Sequence, residues 1–240
     1  MMEAALVVFA KAPVPGQVKT RLCPPLTPDE AATLQGSLVL DMVERSKQVE
    51  RKLDRWLACA PSRTHTFFRI MEERHGIRCL DQIGDNVGTR MAQTFEALFA
   101  RGYRQVVMAG TDIPTLQASA FTEALARLAD HDLVLGPAED GGYYLIAMTR
   151  LQPSLFEDIP WSTNQVRALT LKKAESLGLR TAVLSVCRDL DTIEDLVALA
   201  SLVPAKTGTT QSGPFSARTA GVLRTLASRL RAQQAGKTKP

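Results

Sequence analysis

Two rhythms of hydrophobic and polar positions alternate along the chain from its first residues. Ala4–Ala10 is a short apolar run of β-type residues, the pattern of a strand buried on both faces of a parallel sheet. Thr27-Pro28-Asp29-Glu30 then offers a helix start. Thr27 can cap, Pro28 suits the first turn, and Glu30 stands three residues on. That helix is predicted to run to about Val49. Further strands are predicted over Leu53–Ala60, Ile77–Leu80, Gln105–Ala109, Asp132–Leu135, Tyr143–Met148 and Arg180–Val186. Helices are predicted between and after them over Arg63–Arg74, Val87–Ala100, Leu116–Ala129, Ser162–Leu177 and Thr192–Leu202. The Ser162 helix carries its own capping-box pattern, Ser162 with Gln165, and a stop at Gly178. Strands and helices that alternate through short joints predict an α/β fold, a doubly wound, mostly parallel sheet flanked by helices. Ligands of such sheets bind beyond the carboxyl ends of the strands, so the loops after strands are where chemistry is expected.

The alternation fills residues 1–203, which are expected to form one domain. Pro204–Pro214 is small and polar, the composition of a linker. Residues 215–240 form a basic C-terminal helix and tail, with Phe215, Thr219, Val222, Leu223, Leu226 and Leu230 on one helical face. That face is expected to pack on its own subunit, ahead of a homodimer through the C-terminal helix or contact with an anionic surface. No apolar run approaches about 18 residues, so no membrane span is expected. Glu3 stands where a secretory leader needs a basic segment, and four scattered cysteines without a CxxC pair read as reduced thiols. The expected location is therefore cytoplasmic.

Charge changes the picture only once it is located. The 240 residues carry a net charge of +4, which taken whole suggests nucleic acid. Residues 1–195, however, hold 22 basic and 25 acidic side chains, a balance of −3. The remaining residues hold seven basic and no acidic ones. The working part of the molecule is mildly acidic, and no nucleic-acid partner is expected.

Three of the cations of that acidic body bracket one loop. Lys11–Leu22 follows the first strand, turns at Pro15-Gly16, and is bracketed by Lys11, Lys19 and Arg21. Exposed backbone N–H groups and three cations at a strand end can cradle phosphates, although solvated surface cations explain the spacing equally well. The Walker A spacing is absent. Gly110-Thr111-Asp112-Ile113-Pro114 closes the fourth predicted strand, and Asp112 there is either a metal ligand or a helix cap. Asp191, before the last helix of the domain, admits the same two readings. Gly136–Tyr144 (GPAEDGGYY) either lets a substrate approach the backbone, with Asp140 orienting or deprotonating an acceptor hydroxyl, or is a simple hairpin turn. Gln82–Gly88 reads as a loop at a base edge or as a plain helix entry, and Trp161-Ser162 as packing and cap or as substrate contact. Neither a zinc-hydrolase histidine pair, a Gly-x-Ser-x-Gly elbow nor a Gly-x-Gly-x-x-Gly fingerprint occurs. What remains is an inventory for transfer chemistry: cations for phosphates, carboxylates for a metal, glycines for close approach.

Six segments in this order resemble one family. They are Phe9–Pro13 with Pro15–Leu22, Gln82…Gly84…Gly88…Arg90-Met91, Gly110–Pro114, Gly136-Pro137 with Asp140–Tyr143, Ile159–Thr163, and Asp189–Thr192 with Glu194–Leu196. Together they resemble the uncharacterised glycosyltransferase-like branch of the nucleotide-diphospho-sugar transferase (GT-A) superfamily, over roughly residues 4–203. The resemblance implies a GT-A-like fold. It also implies nucleotide binding by Ala10, Lys11, Gly16, Lys19, Arg21, Gln82, Gly84 and Gly88. Asp112 and Asp191 would hold Mg²⁺ or Mn²⁺, and Gly141, Gly142, Tyr143, Trp161 and Ser162 would form the acceptor side. Asp140, Lys19 and Arg21 are the expected catalytic residues. The first expected reaction is metal-dependent transfer of a sugar from a nucleotide-sugar to a small acceptor. The alternatives are a nucleotidyltransferase, which joins a nucleoside monophosphate to a small phosphorylated acid or sugar with release of pyrophosphate, and a non-catalytic nucleotide-binding protein. Two departures accompany the resemblance: Lys-Ala-Pro-Val-Pro-Gly replaces the Gly-Gly-rich first loop of the nucleotidyltransferases, and Thr111-Asp112 supplies one carboxylate where sugar transferases carry Asp-x-Asp.

Overall fold

The computed structural model describes residues 3–204 and 214–237. Seven strands form one sheet: β1 (Ala4–Lys11), β2 (Asp54–Ala60), β3 (Arg78–Asp81), β4 (Gln105–Ala109), β5 (Leu133–Pro137), β6 (Tyr143–Met148) and β7 (Thr181–Val183). Their order across the sheet is β3-β2-β1-β4-β6-β5-β7. Every pair is parallel except those of β6, which runs antiparallel to both β4 and β5. The antiparallel strand has a local cause: only the five residues Ala138–Gly142, with no helix among them, join β5 to β6, so β6 returns beside β5 as a hairpin. The alternation predicted from sequence therefore breaks at this one joint, and the hairpin reading of Gly136–Tyr144 holds.

The described residues form seven α-helices: α1 (Pro28–Lys47), α2 (Thr66–His75), α3 (Val87–Phe99), α4 (Ala118–Arg127), α5 (Val166–Ser176), α6 (Ile193–Ser201) and α7 (Ala217–Lys237). Period-two alternation sorts each strand between two cores. Ala4, Leu6, Val8 and Ala10 of β1 enter the core that holds Val39 of α1, Phe68 of α2 and Phe121 of α4. Ala5 and Val7 enter the core on the opposite face, with Phe95 of α3 and Ala174 of α5. A third core lies away from the sheet, between α1, α6 and α7. Through it, Phe215, two residues ahead of α7, and Leu223, Leu226 and Leu230 of α7 are buried within the chain. The expected intramolecular packing of that face is thus what the structure describes.

Local chemistry explains where elements begin. The Thr27 hydroxyl accepts the Glu30 N–H while the Glu30 carboxylate accepts the Thr27 N–H, so α1 starts as predicted. The helix predicted from Ser162 does not. Ser162 has φ +65°, left-handed backbone that cannot serve as the extended N-cap of a capping box. The chain turns through Thr163, whose hydroxyl donates to the Pro160 carbonyl, and α5 begins only at Val166. The strand predicted to Val186 also ends early, at Val183. Most of the linker expected over Pro204–Pro214, and the tail beyond Lys237, lie outside the described residues. No helix among the described residues is long and apolar enough to cross a membrane.

Candidate nucleotide-phosphate site

The strand order reverses at β1, between β2 and β4, and a cavity of about 1000 Å³ opens beyond their carboxyl ends. Ala10, Lys11, Lys19, Arg21, Gln82, Asp112, Asp140, Gly142, Tyr143, Trp161, Ser162 and Asp191 all line it. Six loops scattered over 180 residues of sequence are thus brought to one hollow.

Its floor is wired by backbone and amide groups. Gln82 donates from Nε2 to the Ala10 carbonyl at 3.0 Å and the Ala58 carbonyl at 2.9 Å, tying the loop after β3 to β1 and β2. Gln35, buried on α1, donates to the Thr111 hydroxyl at 3.3 Å and to the Lys11 carbonyl at 3.4 Å. The ends of β1 and β4 are thereby locked together. Arg45, also on α1, donates to the Pro114 carbonyl at 2.5 Å and steadies the turn behind Asp112.

Four of the expected site glycines, Gly16, Gly84, Gly88 and Gly141, are not among the residues that line the cavity, and they shape the backbone instead. Gly16 has φ +76° and makes the turn of the first loop. Gly84 has φ +133°, and its carbonyl accepts the Arg90 guanidinium at 2.8 Å. A Cβ on Gly88 would lie 2.3 Å from the Trp161 indole, and one on Gly141 would lie 2.2 Å from the Asn164 carbonyl oxygen. Both glycines therefore exist for close packing. Trp161 is held over the start of α3 by this contact.

Charge is arranged differently from the sequence expectation. The Lys19 ammonium lies 2.5 Å from Asp112 Oδ1, 3.0 Å from Asp191 Oδ1 and 2.6 Å from the Leu190 carbonyl oxygen. Its side chain is only 4% exposed. Burial alone would lower its pKa, but Asp112 and Asp191 outweigh that and hold it above the ordinary lysine value. Lys19 itself has left-handed backbone, φ +48°, at the entry to a short 3₁₀ turn, Thr20–Leu22. In this structure it is an internal counter-ion joining three loops, while Lys11, Arg21 and Arg90 also line the cavity. Arg21 Nη1 stands 3.8 Å from Asp191 Oδ2 and is largely exposed.

A second cluster forms on the other side of Asp191. Carboxylate oxygens of Asp140, Asp189 and Asp191 all lie within 4.8 Å of one another. Burial, then the neighbouring Asp140 charge, push Asp189 up to about 6. Three crowded carboxylates, of which Asp191 pairs with Lys19 and Arg21, are the hard oxygen donor set that suits Mg²⁺ or Mn²⁺, so the residues fit a divalent ion. Asp189 was not among the expected site residues. The signal was present: Asp189-Leu190-Asp191 in extended backbone turns both carboxylates to one side and Leu190 to the other. Gln35 gave no signal, since nothing in an amphipathic helix marks which buried amide reaches a strand end. Asp140 fixes its own turn, accepting the Gly142 N–H at 2.7 Å.

A mostly parallel seven-stranded sheet flanked by helices is the α/β fold of the nucleotide-diphospho-sugar transferases, and the chain stands in an uncharacterised branch of that superfamily. The chain belongs to a family described as "Uncharacterized protein conserved in bacteria (DUF2064)", whose model matches residues 43–163. It is 30% identical to a Desulfovibrio desulfuricans G20 protein named provisionally as a nucleotide-diphospho-sugar transferase; the match covers 97% of this chain and 98% of that one, with a TM-score of 0.84. It is also 37% identical over 135 residues to the 3-phospho-D-glycerate guanylyltransferase of Phenylobacterium zucineum (strain HLK1). That match covers 55% of each chain, so it spans about half the length of the curated relative. The fold recurs in glucosyl-3-phosphoglycerate synthase from Mycobacterium tuberculosis, solved with Mn²⁺, UDP and glucosyl-3-phosphoglycerate, at 14% identity over 95% of this chain and 80% of that one, TM-score 0.50.

Proposed function

We propose that the chain is a metal-dependent nucleotidyltransferase that joins the nucleoside monophosphate of a nucleoside triphosphate to a small phosphorylated acceptor. An acceptor phosphate oxygen attacks the α-phosphorus, the bond from α-phosphorus to the bridging oxygen breaks, and pyrophosphate leaves. The observation that carries this reading is the convergence of the Asp140–Asp189–Asp191 cluster and the Lys11–Arg21 loop on one cavity. Likeness to a guanylyltransferase over half the chain favours nucleotidyl over sugar transfer.

Asp140, Asp189 and Asp191 would hold the ion, with Asp112 kept beside them by Lys19. When bound, a divalent cation supplies neutralisation of phosphate oxygens. Lys11 and Arg21 face the cavity to meet the remaining phosphate charge, and positioning plus electrostatics is the protein's contribution to phosphoryl chemistry. Gln82, with Trp161 standing over Gly88, forms the side on which a base would rest.

Sugar transfer from a nucleotide-sugar is the second reading, and one observation favours it. Asp140 lines the cavity as a carboxylate able to take a proton from a neutral hydroxyl, a task that an ionised phosphate acceptor does not set. Products separate the two. Incubation of the protein with nucleoside triphosphates, phosphorylated acids and Mn²⁺ should release pyrophosphate. Nucleoside diphosphate from a nucleotide-sugar donor would instead establish the second reading, and nucleotide binding with neither product would leave a non-catalytic binder.

A further inference from the structure

We infer that α7, which lies outside the stretch matched by the family model, is a positioning element of the phosphate site, holding the first loop and the late acidic loop in register from beneath. The inference rests on the site reading above.

Three observations converge on it. The third hydrophobic core joins α7 to both loops: Leu22, directly after Arg21, and Leu190, between Asp189 and Asp191, share it with Leu223, Leu226 and Leu230. Leu22, Leu190 and Leu223 are each fully buried. Leu190 is the hinge of the arrangement, because its carbonyl accepts the Lys19 ammonium while its N–H donates to the Asp112 carbonyl at 2.9 Å. Its side chain is thus anchored in the α7 core and its backbone in the charged cluster.

A buried latch fixes the start of α7. Asp41 of α1, 1% exposed, accepts from Ser216 Oγ at 2.7 Å, Thr219 Oγ1 at 2.6 Å and Arg218 Nη1 at 2.8 Å. Charge-assisted bonds to a buried carboxylate are demanding in geometry, so they set the depth and rotation at which α7 sits. A second tie lies further along α7, where Arg229 pairs with Glu30 and donates to the Pro25 carbonyl. Pro25 closes the segment that leads out of the first loop. One helix therefore packs under both walls of the site, and none of its described residues lines the cavity.

Hydrogen exchange on the full-length chain tests this without any ligand. In Leu223→Ala/Leu226→Ala, amides of residues 19–23, 26 and 189–192 should exchange roughly tenfold faster, while β2 and β3 keep their protection. Leu98→Ala, in the core on the far side of the sheet, controls for general destabilisation and should leave both loops unchanged. Should the double variant fold poorly, Asp41→Asn weakens the latch alone and should speed the same two segments to a smaller extent. Faster exchange confined to α7, or a uniform rise that Leu98→Ala reproduces, would overturn the inference. Absence of nucleotide binding by the unaltered protein would count against the proposed function, and loop exchange would still decide the role of α7.

Discussion

At the scale of single residues, the account turns on which carboxylates are already neutralised. Lys19 satisfies Asp112 and Asp191 from within the protein, whereas Asp189 keeps its charge at a cost that raises its pKa to about 6. Lys19→Met would remove the counter-ion of two partly exposed carboxylates. Full burial would make that loss about 3–5 kcal/mol, and their exposure brings the expected destabilisation to about 1–3 kcal/mol in chemical denaturation. The same variant should gain more stability from Mn²⁺ than the parent does, since the freed carboxylates then need a cation. A variant as stable as the parent would show that the ion pair contributes nothing. Gly88→Val makes a steric test. Its Cβ falls 2.3 Å from the Trp161 indole, so either the ring or the α3 backbone must move. A loss of about 1–3 kcal/mol is expected, with a shift in Trp161 fluorescence in a Trp56→Phe background. An unshifted spectrum would mean that the indole does not rest there.

The residues that sequence reasoning found were those whose type restricts their use. A loop with three cations after a buried strand, an Asp at a strand end and glycines beside large side chains are legible because few local structures need them. What escaped was pairing. Nothing in the sequence says that Lys19 meets Asp112 and Asp191, 93 and 172 residues away, before it meets a phosphate. Such partners are chosen by the fold.

At the scale of elements, patterning identified every strand and every α-helix among the described residues, with ends displaced by a few positions, and missed the short 3₁₀ turns Thr20–Leu22 and Pro153–Leu155. The miss at Ser162 is instructive. The residues of a capping box were present, but the chain needed a left-handed residue to bring Trp161 over Gly88, and packing overrode the local signal. The late acidic loop shows the reverse, an ordinary Thr192 capping box with Asp195 that also sets Asp191 at the cavity. Glu30 belongs to this scale as well, because it caps α1 and pairs with Arg229 of α7. Burial opposes its ionisation, yet the Thr27 N–H and Arg229 outweigh it and hold its pKa below the ordinary 4.5. A depressed folded-state value means that this stabilisation is complete above the unfolded pKa and is lost as pH falls through the folded one. Acid denaturation followed below pH 4.5 should therefore be shallower in Glu30→Gln, with the two proteins converging at the lowest pH. Parallel curves would remove Glu30 from the account of acid stability.

At the scale of the whole molecule, bulk composition misleads and placement corrects it. The +4 belongs to a −3 body and a tail of seven cations, and three of the body's 22 basic residues stand in the loop after β1. A sheet whose strand order reverses at β1 gathers cations and carboxylates onto one cavity, and α7 closes the structure beneath both of its charged walls. The central claim is that Asp140, Asp189 and Asp191 hold a divalent ion which carries nucleotide phosphates against the first loop. Thermal unfolding with a nucleoside triphosphate, with and without Mn²⁺, on the parent and on Asp189→Asn, tests it most directly. At about 100-fold the dissociation constant, the parent should gain roughly 5–10 °C with Mn²⁺ and little without it, and Asp189→Asn should lose that gain. Equal stabilisation with and without the metal, or an undiminished gain in Asp189→Asn, would contradict the claim.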